Sequence, residues 1–212
     1  MKYKLVAFDL DGTLGECEAE SSWELIRKVF GIPNLWQDYL AGLVSREEAM
    51  KGEYEFWRYK DATKKKLQKL FQEKYRLVRG AKETIEVLKK KVKVVIISEG
   101  PCLAVSRIAK ELWVKDIACN RIVFDSAGYA IETKPIHPSP NVRVSKALAL
   151  KDFAGKFGLK LKECAAVGND IEDSEMFKTA GFSIAFRPKD EKIKHLADAV
   201  VNDLKDIPRY LI

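Results

Sequence analysis

The apolar positions of this chain change period as it runs. Leu5-Val6-Ala7-Phe8 is an unbroken apolar run, which predicts a strand over residues 3–10 that is covered on both faces and opens into Asp9-Leu10-Asp11-Gly12-Thr13. From Gly15 to Leu77 the period is helical. Trp23, Ile26, Val29 and Phe30 fall on one face of a helix from Ser21 to Phe30, which Gly31-Ile32-Pro33 breaks. Leu35, Trp36, Tyr39 and Leu40 mark a second, short helix. Ser45 with Glu48 is a capping-box pattern and starts a third helix carrying Ala49, Phe56 and Trp57. Asp61 is the expected N-cap of a fourth, with Leu67, Leu70 and Phe71 turned inward. No strand pattern occurs in this stretch. It reads as a helical bundle whose core takes three of the four tryptophans.

From Gly80 strands and helices alternate. A helix over Ala81–Leu88 precedes the β-branched run Val92–Ile97, which ends at Ser98-Glu99-Gly100-Pro101. A helix over Cys102–Leu112 follows, then a short strand at Ile117–Asn120 and a hairpin of Ile122–Phe124 with Tyr129–Ile131. Lys134 to Val142, with three prolines, reads as a loop, and Ser145–Phe157 as a helix. The strand Cys164–Val167 ends at Gly168-Asn169-Asp170-Ile171-Glu172-Asp173. A helix with Met176 and Phe177, a strand at Ser183–Phe186, a helix at Asp190–Leu196 and a strand at Val200–Val201 complete the pattern. The fold class is therefore α/β, a parallel sheet with helices on both faces, interrupted by a helical insertion. The expected division is a core of residues 1–14 and 79–212 with a cap of residues 15–78.

Composition adds constraints rather than a new picture. The net charge of +7 comes from scattered lysines and the runs Lys64–Lys66 and Lys89–Lys91, which sit on amphipathic helices and read as solvated faces. Basic and aromatic residues do not interleave on a strand, so no nucleic-acid partner is expected. No apolar run approaches a membrane span, and Met1–Lys4 leads into the first strand without a signal peptide's apolar core. The four cysteines form no CxxC pair and read as reduced, which points to the cytoplasm. Many Lys and Glu beside few Gln fit a thermophile. The oligomeric state is left open.

Three chemical groups fall at the carboxyl ends of predicted parallel strands, where open α/β sheets bind ligands: Asp9 with Asp11, Ser98, and Asp170 with Asp173. Lys146 lies on the helix before the third. A carboxylate can attack phosphorus, a second can move the proton, and a hydroxyl, a lysine and a divalent cation can hold the phosphate oxygens. The combination predicts phosphoryl transfer. His137 and His195 make no triad with any serine or cysteine motif.

With those residues in hand, the sequence resembles the haloacid dehalogenase (HAD) superfamily, in its phosphoserine phosphatase-like branch. Leu5–Thr13 matches the hhhhDxDGT motif, Val94–Gly100 the strand ending in Ser, Lys146 the third-motif lysine, and Gly168–Asp173 the G-D-x-x-x-D motif with Asn169 in place of its first Asp. The insertion at 15–78 is similar to the helical cap of that branch. The resemblance implies an Mg²⁺-dependent phosphatase acting on a small phosphorylated metabolite. Asp9 would be the nucleophile that becomes an aspartyl-phosphate, and Asp11 the general acid and then base. Ser98 and Lys146 would complete the catalytic set, and Thr13, Glu18, Glu99 and Gly100 would join them against phosphate or substrate. The implied metal ligands are Asp9, Asp11, Asn169, Asp170 and Asp173, with Asn169 and Asp170 as alternatives. Dehalogenases of the superfamily lack the second Asp, so Asp11 argues for a phosphatase. Glu18 occupies the position that reads the ammonium of phosphoserine, but the cap arginine that reads its carboxylate has no match: Glu53 falls there, with Arg46 and Arg58 nearby. Another small phosphorylated metabolite is therefore expected ahead of phosphoserine. The alternative of a different class is a phosphate-binding regulatory protein weakened by Asn169.

Overall fold

The computed structural model describes residues 2–137 and 142–212, with the backbone alone at 142 and 143. Strand β1 (Leu5–Phe8) leads through a two-residue strand β2 (Gly15–Glu16) into four helices, α1 (Ser22–Phe30), α2 (Leu35–Leu40), α3 (Arg46–Tyr59) and α4 (Lys64–Lys74). A second two-residue strand, β3 (Arg76–Leu77), closes this insertion by pairing antiparallel with β2. Then follow α5 (Ala81–Lys89), β4 (Lys93–Pro101), α6 (Cys102–Glu111), β5 (Asp116–Phe124), β6 (Ala130–Lys134) and α7 (Val142–Lys156). The last part holds β7 (Cys164–Gly168), α8 (Ser174–Thr179), β8 (Phe182–Phe186), α9 (Glu191–Leu196), β9 (Ala199–Val201) and α10 (Pro208–Leu211).

The main sheet has seven strands in the order β6-β5-β4-β1-β7-β8-β9, all parallel except the β5–β6 pair. β1 is central, with Phe8 in register with Ile96 on one side and Val167 on the other. The chain leaves β1 toward both neighbours, which makes its carboxyl end the topological switch point. Alternate residues feed two cores. Val6, Phe8, Ile96 and Val167 join a cluster that runs on into the insertion through Leu25, Ile26, Trp57 and Leu67. Leu5, Ala7, Val95 and Ile97 pack under Ala149 and Leu150 of α7 and Met176 of α8.

Several expectations are corrected. The two-residue ribbon β2–β3 is too short to show alternation, so the insertion looked purely helical. The strand and half-hairpin expected at 117–124 are one strand, β5, parallel to β4 in its first half and antiparallel to β6 in its second. Thr63, not Asp61, stands at the start of α4; Asp61 has a φ of 53° and pairs with Lys66. On α1, Leu25 shares the buried stripe with Ile26, and Val29 projects into solvent in the last turn. Phe56 is likewise exposed. Lys134 closes β6 and Val142 already begins α7, so the expected loop is shorter; residues 138–141 of it lie outside the described residues. The capping box at Ser45 and Glu48 is present in full.

The cysteines supply the main correction. Cys102 and Cys119 form a disulfide, with Cα atoms 5.1 Å apart. The pairing of β4 with β5 aligns Ser98 with Cys119 and Pro101 with Asn120, which carries Cys119 to the first residue of α6. A separation of 17 residues has no motif signature, because the contact arises from sheet register alone. Cysteine usage therefore no longer argues for a reducing compartment. Cys17 and Cys164 are free. No helix among the described residues is long and apolar enough to cross a membrane. Closing a loop of this size restrains the unfolded chain by about 3 kcal/mol, worth about 6–12 °C in Tm for a protein of this length. A Cys102→Ser/Cys119→Ser variant should melt lower by that amount, and reductant should lower the Tm of the parent but not of the variant.

Candidate active site

The strand ends bring together what the motifs promised. Asp9 follows β1, and its backbone N–H donates to Val167 O at 2.9 Å, which ties it to β7. Lys146 lies one turn before Leu150 on the sheet-facing side of α7, so its ammonium is delivered to the end of the sheet. Lys146 Nζ donates to Asp9 Oδ1 at 2.8 Å and to Asp173 Oδ1 at 2.7 Å, and all three side chains are buried. Asp173 Oδ2 accepts from the backbone N–H of Asn169 at 2.9 Å and of Asp170 at 3.2 Å. Both its oxygens are thus engaged in holding Lys146 and the loop after β7. A Cβ on Gly168 would lie 2.2 Å from Asp173 Oδ2, so only glycine lets this carboxylate close the loop.

Asp11 is held by a separate set. Its Oδ1 accepts from the Ser22 backbone N–H at 2.9 Å and the Tyr75 hydroxyl at 2.5 Å, and its Oδ2 accepts from Ser22 Oγ at 2.7 Å. Ser22 opens α1 and Tyr75 follows α4, so the insertion itself orients Asp11. Between them Gly12, with a φ of 78°, turns the chain where a Cβ would meet Asn169 Nδ2 at 2.2 Å. Ser98 Oγ, at the end of β4, accepts from the Gly100 N–H at 3.0 Å. Trp23 Nε1 of α1 donates to Glu99 O at 2.8 Å, a second tie between the insertion and this loop.

Burial pushes the Asp9 carboxyl up to about 8, against the pull of Lys146. Burial also raises Asp11, against its hydrogen bonds from Tyr75 and Ser22. Burial acts against the Lys146 ammonium, but Asp173 and Asp9 outweigh it and hold its pKa well above the usual lysine value. At Asp170 the Lys189 ammonium, 2.8 Å away, overrides burial and lowers the pKa. The result is an ordered set of charges around Asp9, with Asp11 placed to keep a proton to higher pH than an exposed carboxyl.

Asp9, Asp11, Ser98, Glu99, Gly100, Lys146 and Asp170 all line one cavity of about 370 Å³ beneath the insertion. Thr13 is fully buried beside it and does not line it. Glu18 is not brought in: it is exposed, bound to Lys74 at 3.0 Å, and faces a separate surface depression with Cys17. Arg58 likewise lies outside, paired with Asp125 at 2.5 Å. The tryptophans divide, since Trp57 is core while Trp23 and Trp36 line the cavity.

A model of the haloacid dehalogenase-like hydrolases matches residues 3–181. The chain belongs to that family. Over their whole lengths, this HAD hydrolase is 28% identical to a phosphoserine phosphatase of Methanocaldococcus jannaschii, covering 99% of this chain and 98% of that one. It is 44% identical to a phosphoglycolate phosphatase of Archaeoglobus fulgidus, over 27% of this chain and 26% of that one. A solved phospho-aspartyl intermediate analogue of phosphoserine phosphatase superposes with a TM-score of 0.78 at 26% identity, with full coverage of both chains. With Asp9 and Asp11 both in place, this HAD hydrolase is a phosphatase.

HAD phosphatases generally use Mg²⁺, and among the described residues no three His, Cys, Asp or Glu side chains gather as a metal-holding group, so the fit rests on single open oxygens. Asn169 is buried, and its Oδ1 meets no donor among the described residues, as an oxygen that faces a cation does. Asp9 Oδ2 is not taken up by Lys146, and Asp170 becomes available if Lys189 swings away. Asp173 is the exception among the proposed ligands, because Lys146 and two backbone amides already engage both its oxygens. Sequence reasoning missed Ser22, Tyr75, Asn120 and Lys189. Ser22 was within reach, since Ser21-Ser22 opens a helix with Ser21 as its cap; the other three carry no local signal.

Proposed function

We propose that this HAD phosphatase uses Mg²⁺ to hydrolyse a small phosphorylated metabolite through an aspartyl-phosphate on Asp9. The supporting observation is the pairing of a buried Asp9, anchored by Lys146, with an Asp11 that the insertion itself holds in place. Asp9 attacks the phosphorus, and the ester oxygen leaves with the proton of Asp11. Asp11, now ionised, takes a proton from the water that opens the acyl phosphate. Ser98 Oγ, oriented by the Gly100 N–H it accepts from, donates its own proton to a transferred phosphoryl oxygen, and Lys146 offsets the phosphate charge. Mg²⁺, bound by Asp9, Asn169, the Asp11 carbonyl and Asp170, would neutralise phosphate charge as the nucleophile approaches. Residues 15–78 act as a cap that opens for substrate and closes to exclude water, moving at the β2–β3 ribbon. Lysine- and glutamate-rich composition together with an internal disulfide fits the cytoplasm of a thermophile.

Phosphoserine is the first candidate by likeness, since relatives similar over the whole length carry that name. Against it, Glu18 faces away from the cavity, and Glu53, bound to Arg27 at 2.7 Å, stands at the position of the cap arginine, which leaves Arg46 as the arginine on the cavity wall to meet a substrate carboxylate. A different small phosphate ester remains the preferred reading. The test is release of nitrophenol from nitrophenyl phosphate with and without Mg²⁺. Mg²⁺-dependent turnover supports the reading, and none under any metal overturns it.

Asn169 offers an oxygen without charge, so Asn169→Asp should tighten Mg²⁺ by about 10-fold or more, read as the Mg²⁺-induced rise in Tm. Because binding must displace the proton held by the raised Asp9, that rise should itself grow from about pH 6 to about pH 8 in the parent protein. An equal Mg²⁺ response in the two proteins would remove Asn169 from the ligand set.

A further inference from the structure

Glu99 sits between Ser98 and Gly100, in the loop proposed above to hold the phosphate, yet a carboxylate there repels a phosphate dianion. Its side chain lines the cavity and is held in one orientation. Asn120 Nδ2 donates to Glu99 Oε2 at 3.0 Å and to Glu99 O at 2.7 Å, while Asn120 Oδ1 accepts from the Ile136 N–H at 3.0 Å. Trp23 Nε1 fixes the same backbone carbonyl from the insertion. Glu99 Oε1, in contrast, is buried and meets no donor among the described residues. A buried carboxylate oxygen without a partner is costly, and this one is kept in place by four ties.

The far end of the cavity has the same bias. Arg27 is bound to Glu24 at 2.8 Å and to Glu53 at 2.7 Å. Asn34 Nδ2 donates to Glu24 at 2.8 Å, and Asn34 Oδ1 is buried without a donor. Arg46 Nε, close to the Trp36 ring, is the one buried side-chain nitrogen without a partner on these walls among the described residues. A leaving group whose only polar group is a carboxylate could satisfy Arg46 alone and would face Glu99 with like charge. One that carries N–H or O–H donors satisfies Glu99 as well.

Resting on the phosphatase reading above, we infer that Glu99 is a specificity-determining residue that accepts a hydrogen bond from a donor on the leaving group, a hydroxyl or an ammonium close to the ester oxygen. It takes the part that the position of Glu18 suggested for that residue. Phosphate esters bearing only a carboxylate are then poor substrates.

The experiment compares kcat/KM for glycerol 3-phosphate, phosphoethanolamine, phosphoserine and phosphoglycolate, each divided by the value for nitrophenyl phosphate, in the parent enzyme and in Glu99→Gln. In the variant the amide oxygen keeps Asn120 and the NH₂ replaces Oε1, so an acceptor becomes a donor. The ratios for the hydroxyl- or ammonium-bearing esters should fall roughly 10- to 100-fold, and that for phosphoglycolate should rise. Glycerol 3-phosphate against phosphoethanolamine tells a hydroxyl from an ammonium as the donor. Ratios that do not move, or a parent enzyme that prefers phosphoglycolate, overturn the inference while nitrophenyl phosphate turnover leaves the phosphatase reading standing. Loss of all turnover in the parent would overturn both.

Discussion

Asp9→Asn should leave a folded protein that releases no phosphate. The substitution keeps the Oδ1 acceptor that Lys146 Nζ meets at 2.8 Å, and the backbone tie from Asp9 N–H to Val167 O is untouched. What disappears is the ionised oxygen that attacks phosphorus. An amide oxygen is a far weaker nucleophile, and water cannot take over, because in the proposed mechanism water attacks an acyl phosphate rather than the ester itself. The expected loss is about 10⁴-fold or more in kcat, on the scale of deleting the nucleophile in other covalent hydrolases. The thermal midpoint should stay near that of the parent, because Lys146 keeps its partner Asp173 at 2.7 Å. Acid-quenched enzyme with labelled ester should carry phosphate on protein in the parent and none in the variant. A variant that still turns over at the parent rate would end the assignment of Asp9.

The fold was legible where local pattern and tertiary environment agree. The run Leu5–Phe8 is apolar throughout because β1 is the central strand and both its faces are covered. Ser45 and Glu48 announce α3 because a capping box needs only neighbours four residues apart or closer. The order of Asp9, Ser98 and the Gly168–Asp173 loop was readable because parallel strands put their ends on one edge. Lys146 was readable as a candidate from its place on the helix before the third strand end and from its likeness to a family motif, but no spacing reveals that a helical lysine is buried between two carboxylates.

What escaped the sequence was made by register and distance. Cys102 meets Cys119, and Asn120 meets Glu99, through the alignment of β4 with β5. Tyr75 reaches Asp11 across 64 residues. Glu18 occupies the family's ammonium-reading position in sequence, but the chain turns outward after β2, and Lys74 holds it on the surface. In each case the local residues permit the contact without requiring it, and the sheet or the insertion decides.

Asp11→Asn should separate the two halves of the reaction. The structure tolerates the change well: Oδ1 still accepts from the Ser22 N–H and the Tyr75 hydroxyl, and Ser22 Oγ can turn to accept from the new NH₂. The lost proton matters twice. An alkyl ester needs it to release its alkoxide, so turnover of such esters should fall by about 10²- to 10⁴-fold, the usual share of a positioned acid–base. Nitrophenyl phosphate loses a stable anion without that proton, so its first step should survive. The water that opens the aspartyl-phosphate still lacks a base, and the intermediate accumulates. Stopped-flow traces should therefore show a burst of nitrophenolate approaching one per enzyme followed by a slow phase, where the parent shows none. Burial raises the Asp11 pKa, so the parent rate on alkyl esters should fall as pH rises through that value and the acid form is lost. The variant should lack this alkaline limb. Equal losses on alkyl and aryl esters, with no burst, would mean that Asp11 orients the site rather than moving the proton.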